Sequence, residues 1–168
     1  MTKFTALAAA VVLVVVDQLI KLCALATLAP TGESITVIPG LFLLTYVENY
    51  GAAFGILHGK TGFLSVVVSL VLIIAVTAIL TGKVKNKFLI WSGALVVAGG
   101  AGNLIDRITR GFVVDYLDFS ALFGFPVFNF ADCCVVVGTA MILIHILFSD
   151  NPGEDAPTSV RDDPKKET

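Results

Sequence analysis

Charge is scarce in this sequence. Asp, Glu, Lys and Arg make up 14% of its 168 residues, where a soluble domain carries about a quarter. Hydrophobic residues make up 57%, and the mean hydropathy is +0.92. These proportions argue against a water-soluble domain and for a membrane protein. The formal net charge of −2 decides little, because a balance hides where the charges sit. The length suits one bundle of a few helices, not two domains.

Several site types are missing as well. The three cysteines, Cys23, Cys133 and Cys134, lie in apolar runs without a CxxC spacing. They imply no disulfide framework and are expected as small packing residues. The two histidines, His58 and His145, sit apart and form no HExxH, which argues against that class of metal peptidase. Ser65 and Ser92 lack a nearby His or Lys and an elbow of glycines, so a serine mechanism is not expected. There is no internal repeat of the kind many transporters show. No metal, no cofactor and no nucleic-acid partner are expected.

What is present is a set of long apolar runs. A span needs about 20 mainly apolar residues, and four segments come close: about Phe4 to Leu28, Phe63 to Leu80, Phe88 to Ile105, and about Ala131 to Phe148. The first imitates a signal peptide, but Asp17 and Lys21 inside it argue for a retained span. Lysine and arginine placement sets the orientation. With both termini inside, the inner side holds Lys3, Lys83, Lys85, Lys87, Arg161, Lys165 and Lys166. The outer side holds Lys60, Arg107 and Arg110, plus Lys21 as an outward snorkel. Both termini are therefore expected in the cytoplasm.

Two outer connections remain. The first, about 30–61, contains "ESITVIPGLFLLTYVEN" and predicts two short strands around a Pro39-Gly40 turn. The second, about 108–130, offers another extended piece in "GFVVDYLDF". Residues 1–148 then form a single four-span domain. Residues 149–168 are polar and aperiodic, and are expected to be a disordered cytoplasmic tail.

The unusual polar residues gather towards the outer rim. Asp17 and Lys21 approach the end of the first span, Asn103, Asp106 and Arg107 end the third, and Asp132 opens the fourth. Ionisable residues at membrane depth usually face the bundle interior and mark a functional path or site. Asp17 also has a purely structural reading as partner of Lys21, four residues on. Asp115 and Asp132 are 17 residues apart, too far to share one helical face, yet the connection could bring them together. Two close carboxyls hold one proton between them, which suits amide hydrolysis by general acid and base. A proton-coupled transporter and a structural ion-pair network remain open at this point.

Five motifs, in order, bear on the choice: "DQLIK" (Asp17 to Lys21), "NYGAAFG" (Asn49 to Gly55), "GGAGNLIDR" (Gly99 to Arg107), "VVDY" (Val113 to Tyr116) and "FNFAD" (Phe128 to Asp132). Across roughly residues 5–148 the chain resembles the lipoprotein signal peptidases, the type II signal peptidases of bacterial inner membranes. The resemblance implies an all-α integral membrane bundle of four transmembrane helices with a small extracytoplasmic β-cradle. It makes Asp115 and Asp132 the catalytic dyad and selects Asp115 over Asp118, which becomes an ordinary interfacial acid. Asp17, Lys21, Asn49, Gly51, Asn103, Arg107 and Asn129 fall where the family supports the dyad or holds substrate.

It further implies cleavage of prolipoproteins just before a diacylglyceryl-modified cysteine, contact with membrane lipid, inhibition by globomycin-type cyclic peptides, and a monomer. Gly99, Gly100 and Gly102 would let helices pack closely or leave room for a lipid chain. The local departure is Cys133-Cys134, where a small hydroxylated residue would be more usual. An intramembrane protease with a GxGD motif is not matched.

Overall fold

The computed structural model describes residues 1–51, 57–120 and 124–149. Residues 52–55 of the NYGAAFG motif and all of the tail beyond Ser149 lie outside the described residues. Among the described residues, four helices are long and apolar enough to cross a membrane: α1 (Thr2–Thr27), α2 (Thr61–Leu80), α3 (Lys87–Thr109) and α4 (Phe130–Ser149). At about 1.5 Å per residue, even the 20-residue members span about 30 Å, the thickness of a bilayer's hydrocarbon core. α2 is apolar all round and buries only Leu64 and Ile79. That surface is stable against lipid rather than water.

α3 is the central helix and packs on the other three. Its glycines explain how. A Cβ on Gly99 would strike the backbone carbonyl of Ala131 and the side chain of Val135, both on α4. One on Gly100 would press on Leu72 of α2, and one on Gly102 would press on the carboxylate of Asp17 of α1. Each glycine admits a different neighbour. The space they leave is filled by protein, so of the two expected uses, close packing is the one found. Lower in the bundle, Ala6 and Ala10 of α1 meet Ala94 and Ala98 of α3 in a small-residue seam.

The third helix runs past its expected end at Ile105 to Thr109. Asp106 and Arg110 pair across one turn, which lets the helix carry charge where the apolar run has stopped. At its start, Asn86 caps it by accepting from the amides of Phe88 and Leu89.

The strands are β1 (Ile35–Ile38), β2 (Phe42–Asn49) and β3 (Val113–Asp118), in one antiparallel sheet of order β1-β2-β3. Gly40 takes a positive φ of 71° in the expected Pro39-Gly40 turn, a conformation that favours glycine. β3 lies beside β2 with Val47 opposite Asp115 and Asn49 opposite Val113. Val114 and Tyr116 pack with Ala24 and Leu28 at the end of α1. Alternation along the strand then sends Asp115 to the opposite face, towards the start of α4.

Two expectations need correction. Lys21 does not snorkel outward: it is fully buried, because three acceptors inside the bundle take its three N–H bonds. Asp118 is not an interfacial acid but a buried one. It accepts from the Ser120 amide at 2.9 Å and the Thr45 hydroxyl at 3.0 Å; hydrogen bonding from Ser120 foremost, and then from Thr45, holds its carboxyl below the usual range. Of the cysteines, Cys134 is buried as expected, Cys133 is partly buried, and Cys23 is exposed on the apolar surface of α1.

Candidate active site

On the sheet side of the bundle lies a cavity of about 730 Å³. Its polar part includes Asp115, Asp132, Asn49, Asn103 and Arg107. Most of the remaining wall is apolar and includes Val113, Phe128 and three valines of α4. Two of those, Val136 and Val137, are 65% and 50% exposed, so the cavity runs out onto the outer surface of α4.

Asp132 stands in the first turn of α4 through a reciprocal cap. Asn129 Oδ1 accepts from the Asp132 amide at 2.9 Å, and Asp132 Oδ2 accepts from the Asn129 amide at 3.2 Å. This is the capping-box exchange with Asn and Asp as its members. The other oxygen of Asp132 accepts from Asn103 Nδ2 at 2.7 Å. Asp115 is held from both sides, by Asn129 Nδ2 at 2.6 Å and Asn49 Nδ2 at 2.9 Å. Among the described residues, both carboxyls therefore receive only N–H donors.

Those donors do not compensate Asp115 for its burial. Its carboxyl is pushed up to about 7, first by burial and then by the Asp132 carboxyl beside it; the bonds from Asn49 and Asn129 and the charge of Lys21 pull the other way.

Behind this wall sits a second layer. Lys21 Nζ donates to Asn103 Oδ1 at 2.8 Å and pairs with Asp17 and Asp106, each at 3.0 Å. The remaining oxygen of Asp17 accepts from the Ala131 amide at 3.0 Å, and Asp106 accepts from the Val114 amide at 3.1 Å. One carboxylate thus fixes the start of α4 and the other the start of β3, the two elements that carry Asp132 and Asp115.

All nine residues singled out in the sequence fall in this one neighbourhood, but in two ranks. Asn49, Asn103 and Arg107 border the cavity with the two aspartates. Asp17, Lys21 and Asn129 are almost completely buried and stand behind it as supports. Gly51 is also buried; its carbonyl accepts from Arg107 Nη2 at 3.0 Å, and its amide donates to Asn49 Oδ1 at 2.9 Å. Buried Arg107 Nε has no partner among the described residues.

Sequence reasoning did not assign Gln18, Asp106 and Arg110 to the site. Gln18 Nε2 donates towards Asp17, Asp106 and the Gly102 carbonyl at 3.1–3.2 Å, and Arg110 pairs with Asp106. The signal was there for two of them. A glutamine beside Asp17 in an apolar run needs a partner, and Asp106 lies three residues from Asn103, on the same helical face. Glu48 also borders the cavity and accepts from the Tyr46 and Tyr50 hydroxyls at 3.0 and 2.5 Å.

One buried and one half-buried carboxyl meet on one cavity in a bundle of helices long and apolar enough to cross a membrane, which defines an integral membrane protein with a polar site built into it. The sequence model of the family described as Signal peptidase (SPase) II matches residues 9–148. The chain is 44% identical over 140 residues to the lipoprotein signal peptidase of Clostridium acetobutylicum, covering 82% of this chain and 90% of that one. With the lipoprotein signal peptidase of Halothermothrix orenii it shares 40% identity over 144 residues, 85% and 95% of the two chains.

A bacterial membrane enzyme solved by the in meso method at 2.3 Å resolution superposes with a TM-score of 0.80 at 36% identity, covering 90% of this chain and 93% of that one. A second, solved at 1.9 Å, gives a TM-score of 0.76 at 35% identity, over 87% and 94%. This chain belongs to the signal peptidase II family: it is a peptidase and a multi-pass bacterial membrane protein.

Proposed function

We propose that the protein removes signal peptides from prolipoproteins, cutting just before a diacylglyceryl-modified cysteine, with Asp115 and Asp132 as its catalytic dyad. The observation that carries this is the pairing itself: buried Asp115 and half-buried Asp132 on one cavity, with the Asp115 carboxyl pushed up to about 7. The pair shares one proton. Asp115 holds it at rest. Asp132 stands in the first turn of a helix, where the dipole favours negative charge, and is the ionised member.

In the reaction, Asp132 takes a proton from water as the oxygen attacks the scissile carbonyl. Asp115 gives its proton to the carbonyl oxygen, which becomes a hydroxyl of the tetrahedral intermediate. Collapse of that intermediate breaks the C–N bond. Asp132 then protonates the leaving amine, and Asp115 recovers a proton from the hydroxyl as the new carboxyl forms. No metal, cofactor or covalent intermediate enters. Arg107 borders the same cavity and stabilises the negative charge as it passes from Asp132 to Asp115.

The substrate's acyl chains belong along Val136 and Val137, where the cavity meets the lipid-facing surface. The sheet side is the outer face of the bacterial inner membrane, and both termini are cytoplasmic, in keeping with the Lys83, Lys85 and Lys87 loop at the opposite end. Residues 1–148 act as one domain. A monomer suffices, because one copy supplies every group named. Globomycin-type peptides inhibit by occupying the dyad.

The test is purified protein in detergent or lipid with a diacylglyceryl-modified prolipoprotein. Release of the signal peptide, unaffected by a metal chelator, is the expected result. Solute uptake by vesicles without cleavage would instead support a proton-coupled transporter. The same assay gives a pH prediction. A raised pKa keeps Asp115 protonated below about 7, so kcat/KM is expected to fall as pH rises through that value. A profile that stays flat through neutrality and on into alkaline pH would remove Asp115 as the acid.

A further inference from the structure

Three asparagine amides face the two carboxyls, and each must be turned the right way round. An amide reversed by half a turn presents its oxygen to a carboxylate and repels it. The orientation of each is set on its far side, where a group that can only donate holds the oxygen. For Asn49 that group is the Gly51 amide at 2.9 Å. For Asn129 it is the Asp132 amide at 2.9 Å. Both anchors are backbone and come with the chain's path.

Asn103 is different: its oxygen is held by the Lys21 ammonium at 2.8 Å, with Asn129 Nδ2 also donating to it at 3.2 Å. Ammonium has three donors and no acceptor, so with Lys21 in place the Asn103 oxygen turns inward and its Nδ2 turns to Asp132.

Resting on the dyad reading above, we infer that Lys21 is a positioning residue whose N–H bond to Asn103 fixes that amide and keeps a donor on Asp132. Its pairing with Asp17 and Asp106 serves the fold. Its bond to Asn103 serves the reaction, although Lys21 is fully buried and touches no substrate. The two roles separate because they use different N–H bonds of one ammonium.

The test keeps the buried charge balanced. Removing Lys21 alone would strand Asp17, so Asp17→Asn is included; Asp106 keeps Arg110. In that background Lys21→Met and Lys21→Gln are compared. Both replacements are one bond shorter than lysine and similar in volume, and only Gln carries an N–H donor. The Met double variant is expected to unfold close to wild type and keep its KM, with kcat down by about 100-fold, the lower end of what a positioned proton-transfer group contributes. The Gln double variant is expected to recover about tenfold of that loss.

Equal kcat in the Met and Gln doubles, or wild-type kcat in the Met double, overturns the inference. So does failure of both doubles to fold, which would make Lys21 structural only. Asp132→Asn is run alongside. If that variant is active, the dyad reading itself fails; if it is dead while the Met double is normal, only the role of Lys21 falls.

Discussion

Asp115→Asn and Asp132→Asn are each expected to lower signal-peptide release by about 10⁴-fold, the upper end for a positioned acid or base. Asn has the same shape as Asp but neither takes a proton nor gives one in this range. Both oxygens of each carboxyl accept from N–H donors, so each substitution turns one such contact into two donors facing each other. That costs about 1–3 kcal/mol, enough to lower the unfolding temperature without losing the fold. Asp118→Asn is the control. Asp118 is buried too, but its bonds tie β2 to β3 through Thr45 and cap the following turn, and it does not border the cavity. It is expected to keep most activity. Mass spectrometry of the released peptide reads all three variants, and substantial cleavage by either member of the pair would end the dyad mechanism.

The largest effect on folding is expected at Gly99. A methyl group there would sit inside contact distance of the Ala131 carbonyl and of Val135 on α4. A backbone carbonyl in a helix cannot swing aside as a side chain does. Relief therefore means moving the first turn of α4, whose amides are held by Asn129 and Asp17. Gly99→Ala is expected to cost about 3 kcal/mol, the upper part of the range for overpacking, and to lower activity in the protein that does fold. Gly93→Ala is the comparison, because the added carbon meets only the flexible end of Ile79 at 3.3 Å. Thermal unfolding in detergent should separate the two variants clearly. Similar unfolding temperatures would show that α3 and α4 approach less closely at Gly99.

The parts legible in the sequence were those that lipid enforces over many residues. Spans announce themselves because each needs some twenty apolar residues in a row, and the hairpin because Pro39-Gly40 interrupts a β-branched run. The strand through Asp115 was visible as an extended piece between two spans. Asp17 and Lys21 were visible as polar groups in an apolar run, but their direction was not. Hydropathy has no azimuth. Whether Lys21 turns to headgroups or into the bundle depends on what α3 offers it, and that is settled by Asn103 and Asp106, more than eighty residues away. Asp118 was misjudged for the same reason, since its partner Thr45 lies on another strand. The choice of Asp115 over Asp118 came from resemblance; the alternation that turns Asp115 to α4 appears only once β3 is seated on α1.

The ion pairs bear on how the chain enters the bilayer. Asp17 and Lys21 are four residues apart on α1, and Asp106 of α3 is four residues from Arg110, which caps that helix. Each acid thus has a counter-charge within its own helix before any other helix arrives. A lone charge costs about 2.5–3.5 kcal/mol at the centre of an inserting span and less towards its end, and a neutral pair on one helical face lowers that burden. In the folded bundle Lys21 also reaches Asp106 and Asn103, so the same pair joins two helices.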